Sequence, residues 1–286
     1  MSPETPVFEE VAPGIYAVDH AVAEGKNAVV IGPRAALAVD AGTYPAEGAT
    51  MAEFVRARGY SVDRFALTHG HADHVLGSEA CAGCHVYASA LTPQVMERGL
   101  PSWVDRWGVR EEEYRQRLAW PTITFTDELA IDLGDLTVRM FPTPGHSEDG
   151  VSMYIPEHRA LIAGDSVTTG VVPAIGDGDS RVLQRSLYRL MTLDIDVLIP
   201  GHGPVLHGVS RVRDWIGWLA SYLAGIRTAA RGLTEAGASV EDAVPRMTIE
   251  DHVGDRLPWD RHGMPKRHAA TVEVIVREVI AEDART

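Results

Sequence analysis

The stretch ALTHGHADHVLGS occupies residues 66–78, and its reading decides the fold. His69, His71, Asp73 and His74 fall within six positions. Successive residues of an extended segment alternate sides, so His69 and His71 can share one face. Two imidazoles on one face are half of a metal site. Asp73 and His74 follow where the chain turns toward a helix, and they can point at a second, adjacent ion. Neutral imidazole and carboxylate suit Zn²⁺ and other first-row metals. A lone histidine is more often structural than a ligand, but four ligand-type residues packed this closely point to metal.

A cage needs donors from elsewhere in the chain, and three candidates follow in order. They are His146 in FPTPGHSEDG, Asp165 in LIAGDSV and His202 in VLIPGHGPV. Each comes after an apolar strand, in a Gly- or Pro-rich loop where a side chain can emerge at a sheet edge. One such residue alone reads as a turn. Three in this order after the first cluster read as the rest of a cage.

The surrounding sequence fits a globular α/β protein. Its 286 residues can bury a substantial core. Hydrophobic content is 45% and charged content 23%, both ordinary for a globular chain. The net charge of −14 argues against sequence-independent nucleic-acid binding, which needs a basic face. The N-terminal MSPETPVFEEVAPG lacks a basic segment followed by an apolar run, and no apolar run approaches membrane-spanning length. The expectation is a cytoplasmic protein without membrane or nucleic-acid partners, acting on a small molecule.

Strand patterns cover the N-terminal segments VFEEVAPGIYAVDH and NAVVIG-PRA-ALAVDAG, with a hairpin turn at GPRA inside the second. The stretch PAEGATMAEFVRARGY spaces Met51, Phe54 and Val55 for one buried helical face. A helix is expected to start at DHVLGSEACAG, and residues 92–120 read as helical. Strands resume through ITFTDELAIDLGDLTVRMFPT and VSMYIPEHRALIAGD, with turns at Gly134-Asp135 and Glu157-His158. Residues 181–192 look helical. From Val209 onward the chain is mainly helical, with Trp215, Leu219, Tyr222, Leu223 and Ile226 on one face. That face is expected in the core or at a homodimer contact. Strand clusters in both halves with interleaved helices imply an α/β sandwich with outer helices. The boundary expected is a sandwich over 1–208 and a helical C-terminal extension over 209–286, packing on it.

Cys81 and Cys84 form CAGCH with His85, which matches the c-type haem attachment pattern. The motif runs straight into the strand-like HVYAS, and the N-terminus offers no export route. The pair is therefore expected to be packing cysteines, with a redox dithiol as the second reading.

These motifs resemble the metallo-β-lactamase superfamily, in particular its binuclear hydrolase branch with glyoxalase II and the lactonases. The resemblance covers about residues 10–208 and all five family motifs. Asp40 in AVDAG matches the first, THGHADH the second, and His146, Asp165 and His202 the third to fifth. It implies an αββα four-layer sandwich with the site at one edge of two sheets. It also implies that His69, His71 and His146 hold one metal, that Asp73, His74 and His202 hold another, and that Asp165 bridges them. Asp40 would orient a ligand through a hydrogen bond. Its alternative reading is a turn aspartate after a strand.

Two divalent ions roughly 3.5–4 Å apart carry four positive charges, against three negative ones from Asp73, Asp165 and a bridging hydroxide. Such ions lower the pKa of bound water from 15.7 toward roughly 7. The expected activity is attack of that hydroxide on an ester, thioester or lactone carbonyl, with Asp73 passing a proton to the leaving group. Zinc is the expected metal, with iron or manganese as alternatives. Other activities of the fold remain open: a mononuclear iron thiol or persulfide dioxygenase, a pathway enzyme, or a β-lactamase-like amide hydrolase. Asp165 stands where one β-lactamase class has cysteine. Thr168 and Thr169 follow it where acyl-homoserine lactonases place a tyrosine.

Three segments are expected to set specificity. Residues 92–120 carry Trp103, Trp107, Arg110, Tyr114 and Trp120, read either as a core stripe or as a lid. Residues 168–179 form a Gly/Asp loop. Residues 252–268 carry His252, His262 and His268, expected at the surface or on substrate rather than on metal. Trp103, Trp107, Thr168 and His262 are the substrate-contact candidates.

Overall fold

The computed structural model describes residues 6–107, 110–175, 177–258 and 263–284, excepting the Trp107 side chain. One sheet runs in chain order: β1 (Phe8–Ala12), β2 (Ile15–Asp19), β3 (Lys26–Ile31), β4 (Ala36–Val39), β5 (Arg64–Ala66), β6 (His85–Ser89) and β7 (Ile123–Phe125). The second sheet comprises β8 (Leu129–Asp132), β9 (Thr137–Pro142), β10 (Val151–Ile155), β11 (Ala160–Ile162), β12 (Val197–Ile199) and β13 (Leu206–His207), in the order 13-12-11-10-9-8. The helices are α1 (Pro45–Arg56), α2 (Ala72–Val75), α3 (Thr92–Trp107), α4 (Glu111–Arg117), α5 (Ser180–Leu190), α6 (Val209–Glu235), α7 (Val240–Ala243), α8 (Ile249–Val253) and α9 (Met264–Asp283).

Three apolar clusters define four layers. Between the sheets lie Ile15, Val30, Leu37, Val138, Met140, Met153, Ile155 and Ile162, all buried. Against the other face of the first sheet, Met51 and Val55 of α1 and Met96, Leu100 and Trp103 of α3 pack on Phe65, Leu67 and Val86. Against the outer face of the second sheet, Leu183 and Leu187 of α5, Ile216, Leu219 and Leu223 of α6, and Ile275 and Val279 of α9 pack on Leu161 and Leu198. Helix, sheet, sheet, helix is the expected αββα sandwich. Both sheets are mixed. β4 to β7 pair in parallel and the other pairs of that sheet are antiparallel; in the second sheet only β11–β12 is parallel.

The turns expected at GPRA, Gly134-Asp135 and Glu157-His158 join β3 to β4, β8 to β9 and β10 to β11. The helix expected from Asp73 is shorter than its pattern: α2 covers four residues, and a 3-10 turn follows at Ser78–Cys81. The chain leaves the helix at Gly77, whose amide donates to the Gly42 carbonyl at 3.0 Å instead of back into the helix, and only glycine fits there because a Cβ would lie 2.0 Å from the Ala41 carbonyl oxygen. The apolar face of α6 is taken up by α5 and α9, which makes it core rather than an open dimer face. Cys81 and Cys84 are free and buried in the cluster beneath the first sheet, as packing residues. Among the described residues no helix is long and apolar enough to cross a membrane.

Two clamps fix the loops that matter later. The Glu47 carboxylate accepts from the amides of Ala21 (2.6 Å), Thr43 (2.7 Å) and Tyr44 (2.8 Å), which ties the start of α1 to the β2–β3 loop. On the opposite flank, Arg267 Nε donates to the Val172 carbonyl (2.7 Å) and Thr271 Oγ1 to the Pro173 carbonyl (2.9 Å). Buried Arg227 of α6 also pairs with Glu278 (2.7 Å) and Glu282 (2.7 Å) of α9, and Glu278 accepts the Ser180 amide (2.8 Å) at the start of α5. The C-terminal helix therefore holds the 171–179 segment from both ends.

Candidate metal centre

The histidines and aspartates singled out in the sequence converge at one edge of the sandwich. Three overlapping donor groups form: His69 with His71 and His146; His69 with His74 and Asp165; Asp73 with His74 and His202. Within each group the donor atoms lie within 4.8 Å of one another. All seven expected donors are present, and Asp165 also lies 3.4 Å from His146 Nε2 and 3.2 Å from His202 Nε2. Gly201 permits this approach, because a Cβ there would sit 1.9 Å from Asp165 Oδ1.

Each imidazole is oriented by its other nitrogen. His74 Nδ1 meets Asp40 Oδ2 at 2.8 Å, His146 Nδ1 the Ala174 carbonyl at 2.8 Å, and His202 Nδ1 the Ala23 carbonyl at 3.0 Å. His71 Nε2 meets Asp177 Oδ1 at 2.8 Å. Thr68 Oγ1 donates to Asp40 at 2.7 Å, so at 3.1 Å it accepts from His69 Nδ1. Each of these partners is an acceptor, so the proton sits on the nitrogen facing it. The remaining nitrogens therefore present lone pairs inward.

Those lone pairs face other acceptors. His71 Nδ1 and His146 Nε2 are 2.9 Å apart. His74 Nε2 and Asp165 Oδ1 are 3.3 Å apart, and His202 Nε2 lies 3.4 Å from Asp73 Oδ2. His69 Nε2, His74 Nε2 and Asp165 Oδ1 are buried without a hydrogen-bond partner. Buried polar atoms are normally paired, so acceptors crowded against acceptors call for cations. The donor set fits divalent metal ions, in both chemistry and convergence.

The charges follow. Burial, together with His74 and His71, holds His69 well below its usual value. Burial holds His146 down to about 4, with His71 and Arg267 adding to the effect. Burial also pushes His74 down, but Asp40 and Asp73 outweigh it and raise it well above 6.5, so an ion taken up at His74 Nε2 frees that lone pair by displacing a proton. Asp165 is held well below the carboxylate range, because His202 and His146 outweigh its burial.

Asp40 does more than end a strand. Its carboxylate accepts from the Thr68 amide and hydroxyl and from His74, and its φ of 54° lies in the left-handed region. Three other residues of the site carried no recognised signal. Asp177 sits in the Gly/Asp loop expected to vary with specificity, and it orients His71. Asp149, three residues after His146, accepts the Gly70 amide at 2.8 Å and fixes the THGHADH backbone. His20 is buried with its ring 6.0 Å from those of His74 and His202, and burial holds it down to about 3.

Several substrate-contact expectations are corrected. Trp103 is 5% exposed and packs in the core under the first sheet, so the core-stripe reading of that helix holds for it. Thr168 is buried, and its carbonyl accepts from Trp215 Nε1 at 2.7 Å, so it braces α6 instead of facing a cleft. His268 is buried between the Tyr222 hydroxyl (2.8 Å) and the Met247 carbonyl (3.0 Å), a core histidine rather than a surface one. His262 and the Trp107 side chain lie outside the described residues.

A four-layer sandwich with clustered histidines and aspartates at its edge is the fold and donor set expected of a metal centre in the metallo-beta-lactamase superfamily. The metallo-beta-lactamase superfamily profile matches residues 22–202, and the chain belongs to that superfamily. The beta-lactamase-like protein 2 homolog of Caenorhabditis elegans is 26% identical over 153 residues, covering 52% of this chain and 44% of that protein. A hydroxyacylglutathione hydrolase of Brucella anthropi is 27% identical over 153 residues, covering 54% and 52%. The chain thus spans about half the length of these relatives. The crystal structure of a metallo-beta-lactamase family protein from Thermus thermophilus shares the fold, with a TM-score of 0.67 at 20% identity, covering 96% of this chain and 95% of that one.

Proposed function

We propose that this chain is a metal-dependent hydrolase in which water attacks the carbonyl carbon of an ester, thioester or lactone and the acyl C–O or C–S bond breaks, releasing an acid and an alcohol or thiol. The observation that carries the reading is the double cluster of inward lone pairs, each fixed from behind by a hydrogen bond. His69, His71 and His146 would hold one ion, Asp73, His74 and His202 a second, and Asp165 would lie between them. Zinc suits this nitrogen and oxygen set, with iron and manganese as the alternatives. When bound, the ions supply acidified water, with a pKa lowered from 15.7 toward roughly 7, and polarise the carbonyl.

The protein supplies orientation. Asp40, Asp177 and the carbonyls of Ala23 and Ala174 fix four imidazoles, so little reorganisation is needed during reaction. Asp73 is the second-cluster donor with an open side, 26% exposed. Burial and Asp165 push its carboxyl up, but His74, His202 and His20 outweigh them and keep it ionised. It accepts a hydrogen bond from the attacking water and takes up the proton bound for the leaving group. The complete second cluster favours this reading over a mononuclear iron dioxygenase. A small-molecule substrate and a cytoplasmic location belong to the same reading, as does a sandwich over 1–208 with its extension over 209–286.

The test is elemental analysis of protein purified without added metal, followed by a thioester and lactone panel. Close to two ions per chain with turnover of a panel member is expected. One iron per chain, with oxygen consumed on thiols and no ester cleaved, would sink the proposal.

A further inference from the structure

Cys81 and Cys84 pack beneath the first sheet as free thiols, and the turn that holds them is also shaped for chemistry. Ala82 has a φ of −59° and a ψ of 124°, Gly83 has a φ of 91°, and the Cys84 amide donates to the Cys81 carbonyl at 3.0 Å. These are the angles and the closing bond of a type II turn, with glycine where a positive φ is needed. The ends of such a turn lie within about 7 Å, and the Cα atoms of a disulfide lie roughly 4.4–6.8 Å apart. Both side chains enter the same apolar cluster and hydrogen-bond to each other.

The two thiols are not equivalent. Cys84 Sγ donates its proton to the Val62 carbonyl at 3.2 Å, so toward Cys81 it is the acceptor. That bond from Cys81, helped by the Arg56 guanidinium, lowers the Cys84 thiol against burial and Asp63. The same bond and burial push the Cys81 thiol up. Cys81 is 1% exposed and Cys84 8%, and the tip of the turn, Ala82 and Gly83, faces solvent. A Cβ on Gly83 would meet nothing within 4 Å, so the approach over the turn is open. Cys84 is thus the outer sulfur with thiolate character, and Cys81 stands behind it.

We propose that Cys81 and Cys84 form a thiol–disulfide site that exchanges with small disulfides, with Cys84 as the attacking sulfur and Cys81 as the resolving one. Cys84 thiolate attacks one sulfur of a small disulfide such as oxidised glutathione, whose S–S bond breaks and releases one thiolate. Cys81 then loses its proton and attacks the Cys84 sulfur, which closes the Cys81–Cys84 disulfide and releases the second thiolate. Two protein thiols are oxidised, one small disulfide is reduced, and its two thiolates take up the two protons. The proposal is independent of the hydrolase reading.

The experiment incubates the folded full chain with oxidised glutathione and reads intact mass and thiol titre, with circular dichroism to verify the fold. Loss of two hydrogens and of both thiols is expected, with no glutathione retained, reversed by reduced glutathione. Cys81→Ala should stop with one glutathione retained on Cys84. Cys84→Ala should stay unmodified under the conditions in which Cys81→Ala reacts. If a variant does not fold, iodoacetamide on the reduced wild type decides the roles. Labelling of Cys84 first supports them, and equal labelling or Cys81 first refutes them. Wild-type protein that keeps both thiols until urea unfolds it, or that retains a glutathione on each, would overturn the proposal.

Discussion

Replacing Asp177 by alanine removes the acceptor behind His71 without touching any proposed donor. The Asp177 Oδ1 to His71 Nε2 contact is 2.8 Å, and the carboxylate is 43% exposed. A hydrogen bond involving a charged group contributes about 1.5–3 kcal/mol, and the exposure places this one at the low end. About 1.5 kcal/mol corresponds to roughly tenfold in affinity, at about 1.36 kcal/mol per factor of ten. The two ions should respond unequally, because His74 and His202 are oriented by Asp40 and Ala23, not by Asp177. Competition against a chromophoric chelator should therefore show one ion held about tenfold more weakly and the other unchanged. Asp177→Asn keeps an oxygen acceptor without the charge, so its loss should be smaller, about threefold. Two unchanged affinities, or two that fall together, would refute the reasoning: the first removes Asp177 from the site, and the second makes its effect global.

Gly201→Ala should displace Asp165, because the new Cβ would lie 1.9 Å from Asp165 Oδ1 and 2.6 Å from the Gly164 carbonyl carbon. Overpacking of this kind costs about 1–3 kcal/mol; a drop in both melting temperature and metal content is expected, and unchanged metal content would contradict the placement of Asp165. Acid should weaken the chelator-stripped fold. His146 is held to about 4 and His69 well below 6.5, so below 6.5 the unfolded chain binds protons that the folded one refuses. Stability from these groups is present above 6.5 and lost as pH falls toward about 4, whereas His74, raised well above 6.5, is protonated in both states across that window. Urea midpoints that stay level between pH 6.5 and 4 would count against this account.

The donors were legible because their chemistry is local: THGHADH announces itself, and His146, Asp165 and His202 each follow a strand in a Gly-containing loop. The layers were legible because apolar periodicity marks which faces are buried. The orienting groups were not. Asp177 lies 106 positions from the histidine it touches, and Ala23 is 179 from His202. A backbone carbonyl such as Ala23 or Ala174 leaves no trace in residue type. Trp103 and Thr168 misled for a related reason, since an aromatic or hydroxyl residue near a site has the same letter whether it lines a cleft or fills a core. α2 stopped early because the Gly77 amide turns to the Gly42 carbonyl, distant in sequence, which helix periodicity does not encode.

The tie from α9 to the Val172 and Pro173 carbonyls also has a consequence for synthesis. His146 leans on Ala174, and the segment carrying Ala174 is held by Arg267 and Thr271. During translation, six of the seven donors leave the ribosome before residue 180 and His202 follows soon after, yet the brace behind His146 arrives only with residues 264–283. A nascent chain thus displays a full set of ligands before it can hold them in place. An ion captured then would meet a looser cage than the finished protein offers, and docking of α9 would tighten it by bracing the carbonyl behind His146.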